Sequence, residues 1–369
     1  MKSNMKKILF AAHDLGLGGI ETALVALINY LADVKQENGY KYEITLVLEK
    51  KQGIFLKNLN SRIKIIEYTP NTNKIKCVRK LVNMCKRIRF ASKYKNKFDF
   101  SAAYATYSLP ASFVARTASK NSALWCHMDY VEQYQNDIEK VKEFFKEKKY
   151  KEFRNIIFVS EQGKKTFKKV FPEMKNVYAI NNIIDYKNII KKSQESVKEE
   201  INKNNTIFLN VGRHDEEQKK LSRIIEACNK LKKEGLKFKI IFVGDGKNNE
   251  EYKKMVKNYK LEKHIIFLGK KENPYPYFKV ADCILLSSDY EGYPVVFTEA
   301  MVLNKPIITT NVSGSDNIKG KYGFVIEKNT EQLYEKMKEF ILNGYEIKKQ
   351  FNPEEYNKEI KEKLEEIIG

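Results

Sequence analysis

At 369 residues, 42% of them hydrophobic and 12% aromatic, the chain has room for two ordinary domains and is too apolar for a disordered protein. No apolar run approaches the roughly 18 residues of a membrane span, and Ile8–Ala12 is too short for a signal-peptide core, so a cytoplasmic protein is expected. A formal charge of +21 points to anionic partners, and Cys77, Cys85, Cys126, Cys228 and Cys283, with no Cys-x-x-Cys pair, read as free thiols in a reducing compartment.

Strands alternate with helices along the chain. In the first half the predicted strands are Lys7–Ala12, Tyr42–Leu48, Ile63–Tyr68, Phe98–Tyr104, Ala123–Cys126, Ile156–Ser160 and Val177–Ile180. Helices are predicted at Ile20–Val34 and Glu161–Val170. Such alternation implies the α/β class with parallel, doubly wound sheets. The first strand leads into His13-Asp14-Leu15-Gly16-Leu17-Gly18-Gly19-Ile20-Glu21. Glu21 stands where G-x-G-x-x-G needs its last glycine, which disfavours a dinucleotide-binding oxidoreductase. Gly18 and Gly19 either let the backbone approach a phosphate or sugar closely or serve a tight turn. His127 follows the strand Ala123–Cys126, where it can donate to a sugar hydroxyl or a phosphate, or be structural. His13 and His264 read as structural.

Between Lys74 and Lys97 there are ten Lys/Arg and no acid, while Ile75, Val78, Leu81, Val82, Cys85 and Ile88 recur at helical spacing. Three readings are open: a basic face on anionic lipid, a phosphate-binding face for nucleic acid, or a solvated face of a helix packed on its sheet. The apolar stripe is expected to face the core and the lysines to face outward. Nucleic-acid modules usually add a recognisable fold or aromatic platform, and none is present, so no nucleic-acid partner is expected.

The second half repeats the alternation, with strands at Thr206–Gly212, Phe238–Gly244, Ile265–Gly269, Cys283–Leu286 and Pro306–Thr310. Helical patterns fall at Ser222–Glu234, Asn249–Tyr259, Val295–Leu303 and Pro353–Ile368. The polar stretch Lys191–Asn205 suggests a linker or exposed helix at a domain junction, giving domains of residues 1–185 and 186–352. After the strand Thr206–Gly212, Arg213 and either Lys219 or Lys220 can converge on a diphosphate, the arginine through forked hydrogen bonds and the lysine as a movable point charge. Gly244-Asp245-Gly246 is a further βα turn that shapes the site rather than acting in chemistry.

The most informative stretch is Asp289-Tyr290-Glu291-Gly292-Tyr293-Pro294-Val295-Val296-Phe297-Thr298-Glu299-Ala300. Strand, polar loop and proline-started helix present ligand groups at the carboxyl end of an open sheet. The first-turn N–H groups around Gly292, Tyr293, Pro294 and Val295 attract a phosphate, and Glu291 and Glu299 can hold hydroxyls. A ligand with both phosphate and hydroxyls, such as a nucleotide-sugar, is implied.

This segment resembles the E-x7-E signature of retaining glycosyltransferases of family 4, with the GT-B fold. The resemblance extends along nearly the whole chain. It implies two Rossmann-like domains facing across a cleft, the first on the acceptor side and the second binding the donor, with the last helix (residues 353–369) packing back on the first. It matches Gly18-Gly19-x-Glu21 to the family's Gly-Gly-x-Glu stretch, His127 to a strand-end histidine, and Val211-Gly212-Arg213 with Lys219 to its Val-Gly-Arg…Lys-Gly pattern. The loop here is one residue longer, and Lys220-Leu221 replaces the usual glycine. Asp316 stands where relatives often have Glu.

The resemblance implies a retaining, hexosyl-type transfer from a nucleotide-sugar, UDP-linked, to a lipid-linked or polysaccharide acceptor of bacterial cell-surface glycan synthesis, capsule included. Glu291, Arg213, Lys219 and His127 are expected at the reacting atoms. Glu299, Gly18, Gly19 and Gly292–Val295 are expected, with Arg213 and Lys219, at the donor. The chain has no D-x-D motif and no metal-ligand spacing, so no metal or other cofactor is expected. A GT-B nucleotide-sugar epimerase and a non-catalytic nucleotide-sugar-binding subunit are the alternatives. An anionic membrane surface is a further candidate partner, with the protein peripheral on the inner face of the cell membrane.

Overall fold

The computed structural model describes residues 5–369 apart from Asn38, Lys198, Glu200, Asn202 and Lys203. Four residues of the expected linker Lys191–Asn205 thus lie outside the described residues. Its start belongs to a helix, Tyr186–Ser193, and Glu199 accepts from Lys271 Nζ at 2.8 Å and Tyr277 Oη at 2.6 Å. The chain divides into two compact units, Met1–Ile184 with Tyr356–Gly369, and Asp185–Glu355.

The first unit holds a seven-stranded parallel sheet. Its strands run, from one edge to the other, Lys64–Glu67, Tyr42–Leu48, Lys6–Ala12, Phe100–Ala103, Ser122–Cys126, Asn155–Phe158 and Val177–Ala179. Ile8 pairs with Ile44 on one side and Phe100 on the other. Both faces of a parallel sheet are covered, which is why these strands read as unbroken apolar runs. One face packs Phe145, Phe158, Phe167 and Phe171 into a core. The C-terminal helix Pro353–Ile368 buries Ile360, Leu364, Ile367 and Ile368. Asn357 ties it down, accepting from the Ile184 amide at 3.0 Å and donating to the Ile184 carbonyl at 2.8 Å.

The second unit holds six parallel strands in the order Ile265–Phe267, Phe238–Val243, Thr206–Val211, Cys283–Leu286, Ile307–Thr310 and Gly323–Ile326. Successive strands step outward from Thr206–Val211 in one direction, and then Cys283–Leu286 restarts on its other flank. The order reverses there. At such a switch point the helices leave on opposite faces and a crevice opens beyond the strand ends. Two loops meet at this crevice, residues 212–220 and 287–294.

The helix over the basic segment corrects the expectation. It spans Lys76–Tyr94, yet its only buried residue is Phe90. Ile75, Val78, Leu81, Met84 and Ile88 are 38–61% exposed, so the apolar stripe faces away from the sheet. Periodicity reports that a face exists and not what covers it. Here the opposite, mostly polar face makes the contacts.

Candidate active site

Backbone bonds lock the two loops of the second unit together. The Asp289 amide donates to the Gln218 carbonyl at 2.8 Å, and Ser287 Oγ lies 2.8 Å and 2.9 Å from the carbonyls of Lys219 and Lys220. Arg223 is 8% exposed and bonds the Ser287 carbonyl and, at 2.8 Å, Asp289 Oδ1. Each loop therefore fixes the other before any ligand arrives, the preorganisation that electrostatic catalysis requires.

On this platform sits a hydrogen-bonded chain. Lys219 Nζ lies 2.5 Å from Glu291 Oε1, which also accepts from Ser288 Oγ at 2.7 Å. Gln218 Nε2 reaches Glu291 Oε2 at 3.4 Å, and its own Oε1 accepts from Arg213 Nη2 at 3.0 Å. Two cations and one buried carboxylate are thus joined through Gln218. Sequence left Lys219 and Lys220 unresolved; the structure separates them. The Lys219 stem lies along Gly212, whereas Lys220, at φ 49°, turns back to Glu216 at 3.4 Å. Gln218 and Ser288 were not foreseen. Each adjoins or lies one turn from an expected residue, but their roles come only from the meeting of two loops.

The helix Val295–Val302 starts at Pro294 with no side-chain cap, and Val295 and Val296 are partly exposed. Its leading N–H groups are an anion site by geometry and dipole. Gly292, Tyr293 and Pro294 are buried in the turn before it. Glu299 is 6% exposed, accepts from Tyr275 Oη at 3.1 Å, and is pushed up to about 7 by burial, with the tyrosine bond opposing the rise. Tyr275 lies in a helix far off in sequence, and no sequence signal marks it.

His214 and Gly244-Asp245-Gly246 build the floor. His214 is fully buried, and burial holds it below its usual range. Gly244, at φ 147°, brings its Cα so close to the Gly212 carbonyl that a Cβ would stand 1.8 Å away. Asp316 is exposed. Among the described residues no group of three or more His, Cys, Asp or Glu is placed to hold a metal ion.

The other expected residues lie in the first unit. Gly18 precedes the helix Gly19–Asp33, and the Glu21 carboxylate folds over it, so that a Cβ on Gly18 would stand 2.2 Å from Glu21 Oε2. Burial raises the Glu21 carboxyl above its usual range. The Glu21 carboxylate thus lies against the helix start that was expected to meet a phosphate or sugar. His127 is 7% exposed, and burial lowers it to about 3, so the ring is neutral. A bond to the Tyr104 backbone opposes that lowering, and among the described residues the buried Nε2 has no hydrogen-bond partner. Donation to a sugar or phosphate was expected from this histidine. His13 reaches Glu49 at 3.3 Å, and Glu49 also takes a bond from Ser108.

Residues 191–360 match the sequence profile of the family described as Glycosyl transferases group 1, a span that takes in almost all of the second unit. The chain is similar to an uncharacterized glycosyltransferase of Methanocaldococcus jannaschii, 26% identical over 193 residues, which make up 51% of this chain and 47% of that protein. It spans about half the length of that relative. It is also similar to the amylovoran biosynthesis glycosyltransferase AmsD of Erwinia amylovora, 23% identical over 294 residues, 77% of this chain and 80% of that one. In structure it is similar to Anabaena HepE, solved in complex with UDP-glucose, with a TM-score of 0.74 and 18% identity over 98% of this chain and 100% of that one. The fold is GT-B, built from two Rossmann-like units.

Proposed function

We propose that the chain is a retaining, family 4 glycosyltransferase that moves a hexosyl group from a UDP-sugar to a lipid-linked or polysaccharide acceptor, including capsule. It works in the cytoplasm at the inner membrane surface, without a metal. The observation that carries this reading is the switch point of the second unit. There the Lys219–Glu291 pair, Arg213, an uncapped helix start and the buried Glu299 stand at one end of one sheet. The UDP-glucose complex of HepE supports the choice of nucleotide, and the pathway in the name of AmsD supports a glycan acceptor.

The diphosphate rests on the leading N–H groups of the helix, at Val295 and Val296, with Arg213 and Lys219 as counter-charges. Glu291 accepts from hydroxyls of the donor sugar and Glu299 from those of the ribose. In the reaction the bond from the anomeric carbon to the phosphate oxygen breaks, and the acceptor oxygen bonds that carbon on the same face. The acceptor's proton passes to the departing phosphate, so no protein nucleophile is needed. Positive charge develops on the sugar and negative charge on the diphosphate. Two protein cations meet the latter, the part that a divalent ion would otherwise take.

A panel of UDP-, GDP- and ADP-sugars, scored by thermal shift and by slow hydrolysis without acceptor, tests the reading. A rise in melting temperature and release of free sugar from one UDP-sugar are expected. Conversion of the sugar to its epimer would make the chain an epimerase, and binding without turnover would make it a non-catalytic subunit.

A further inference from the structure

The helix Lys76–Tyr94 is held to its unit by one side only. Phe90 packs edge-on against Tyr68 at 5.3 Å and lies 6.1 Å from Phe113. Asn83 exchanges two bonds with the Asn71 backbone, at 2.7 Å and 3.1 Å, and Lys86 Nζ donates to the Thr69 carbonyl at 2.8 Å. Arg87 stacks over Phe113 at 5.3 Å. With about 100° per residue, these anchors share one side of the helix, and Val78, Leu81, Met84, Cys85 and Ile88 fall on the other. Leu81, Met84 and Ile88 are 58%, 52% and 61% exposed.

A solvated face has no use for leucine and isoleucine. Exposed contiguous apolar groups rimmed by polar ones mark an interaction surface. Lys80 and Arg89 border the stripe on its two sides, both are exposed, and no acid occurs between Lys74 and Lys97. The charge selects an anionic partner and opposes a second copy docking through the same face, since that would oppose two rows of like charge. The apolar stripe in turn has no place on a nucleic-acid backbone. Both features together fit one surface, the boundary between headgroups and acyl chains of an anionic bilayer.

We infer that this helix lies in the plane of an anionic membrane, with Val78, Leu81, Met84 and Ile88 inserted below the headgroups and Lys80 and Arg89 against lipid phosphates. The inference deepens the reading of an enzyme working on a membrane surface, and rests on it only for the location of the acceptor. It calls on none of the residues of the second unit. Lys86 and Arg87, though basic, belong to the docked side, so their reversal would test docking rather than lipid binding.

The chain carries its own reporters. Cys77 and Cys85 are exposed, whereas Cys126, Cys228 and Cys283 are buried. Vesicles of phosphatidylglycerol, at low salt and with no donor or acceptor present, should sediment the protein and shield Cys77 and Cys85 from a water-soluble thiol reagent. Phosphatidylcholine vesicles should do neither. Leu81→Gln with Ile88→Gln keeps every charge and both sites are exposed, so the fold should hold, as an unchanged thermal melt would show. Partitioning onto the acidic vesicles should fall about tenfold or more. Wild-type protein that stays in the supernatant, or a double variant that partitions as well as wild type, would overturn the insertion. Thiols that remain open on bound protein would do the same. A dimer that the double variant dissolves would assign the face to a second copy instead. Because donor hydrolysis is read separately, failure here leaves the catalytic reading standing, and the reverse also holds.

Discussion

Glu291 and Glu299 stand at the two ends of one short motif, and both are nearly closed off from water, yet the molecule treats them oppositely. Glu291 faces the Lys219 ammonium and takes a second bond from Ser288. Among the described residues Glu299 is bonded by the Tyr275 hydroxyl alone, and burial pushes it up to about 7. Spacing makes the two interchangeable on paper. A cation from a different loop distinguishes them. In the first case burial is compensated before ligand arrives; in the second the compensation is left for the ligand to supply, and ribose hydroxyls donating to the carboxylate would do so.

The largest effect should come from breaking the compensated end. Lys219→Met leaves Glu291 buried without its counter-charge, at a cost of about 3 kcal/mol in stability. If Lys219 also meets the diphosphate as proposed, kcat should fall by roughly 10²–10³. Adding Glu291→Gln should restore most of the lost stability in urea melts and none of the activity. If the single variant melts like wild type, the pair does not carry the compensation described. Arg213→Ala strikes charge without stranding a carboxylate, because Gln218 lies between. Its stability should stay within about 0.5 kcal/mol, while kcat falls roughly 10²–10³-fold in steady-state kinetics. A matching loss of stability would place Arg213 in the fold rather than at the donor.

At the uncompensated end the sign runs with proton uptake. The folded carboxyl of Glu299 is raised from 4.5 to about 7, so its contribution to stability is whole below about pH 4.5 and is lost as pH rises through 7. The loss amounts to about 3 kcal/mol in the ligand-free protein. Glu299→Gln should therefore be more stable than wild type at pH 8, nearly equal at pH 4.5, and weaker for donor, as expected where a site gives up stability for function. Melts of the two proteins that stay parallel over this range would remove the assignment. Smallest of all is Tyr275→Phe. Its bond lowers the Glu299 carboxyl, so without it the midpoint of the pH dependence should move upward, with about 1 kcal/mol lost at pH 8.

How much of this could be read in advance follows the same division. Central parallel strands were legible within a residue or two because both faces are buried, as in Tyr42–Leu48 and Cys283–Leu286. The edge strand Gly323–Ile326 and the helices Leu109–Ala118, Ile138–Glu147 and Thr330–Asn343 were not foreseen. Asp137 and Asn329, each capping its helix by accepting a first-turn amide, were the signals that could have marked two of them. At the site, Arg213 drew notice from its strand end, Lys219 from the loop after it, and Glu291 from the turn before a helix. Gln218 and Ser288 join them only because the sheet order reverses between Thr206–Val211 and Cys283–Leu286. The partner of Glu299 and the outward turn of the basic helix are likewise tertiary facts. A helical pattern shows which residues share a face, and the packing of the rest of the chain decides where that face points.

The central claim is that Glu299 is left uncompensated for the ribose of a nucleotide-sugar. It is tested most directly by calorimetric titration of the UDP-sugar that the donor panel selects, at pH 6 and pH 8. A UDP-sugar has no diphosphate proton to lose in this range, so a change in affinity reports the protein. Wild-type affinity should rise about tenfold from pH 6 to pH 8, as Glu299 ionises. Glu299→Gln should bind more weakly at pH 8, with the pH dependence gone. Equal affinity for wild type and variant at both pH values would contradict the account.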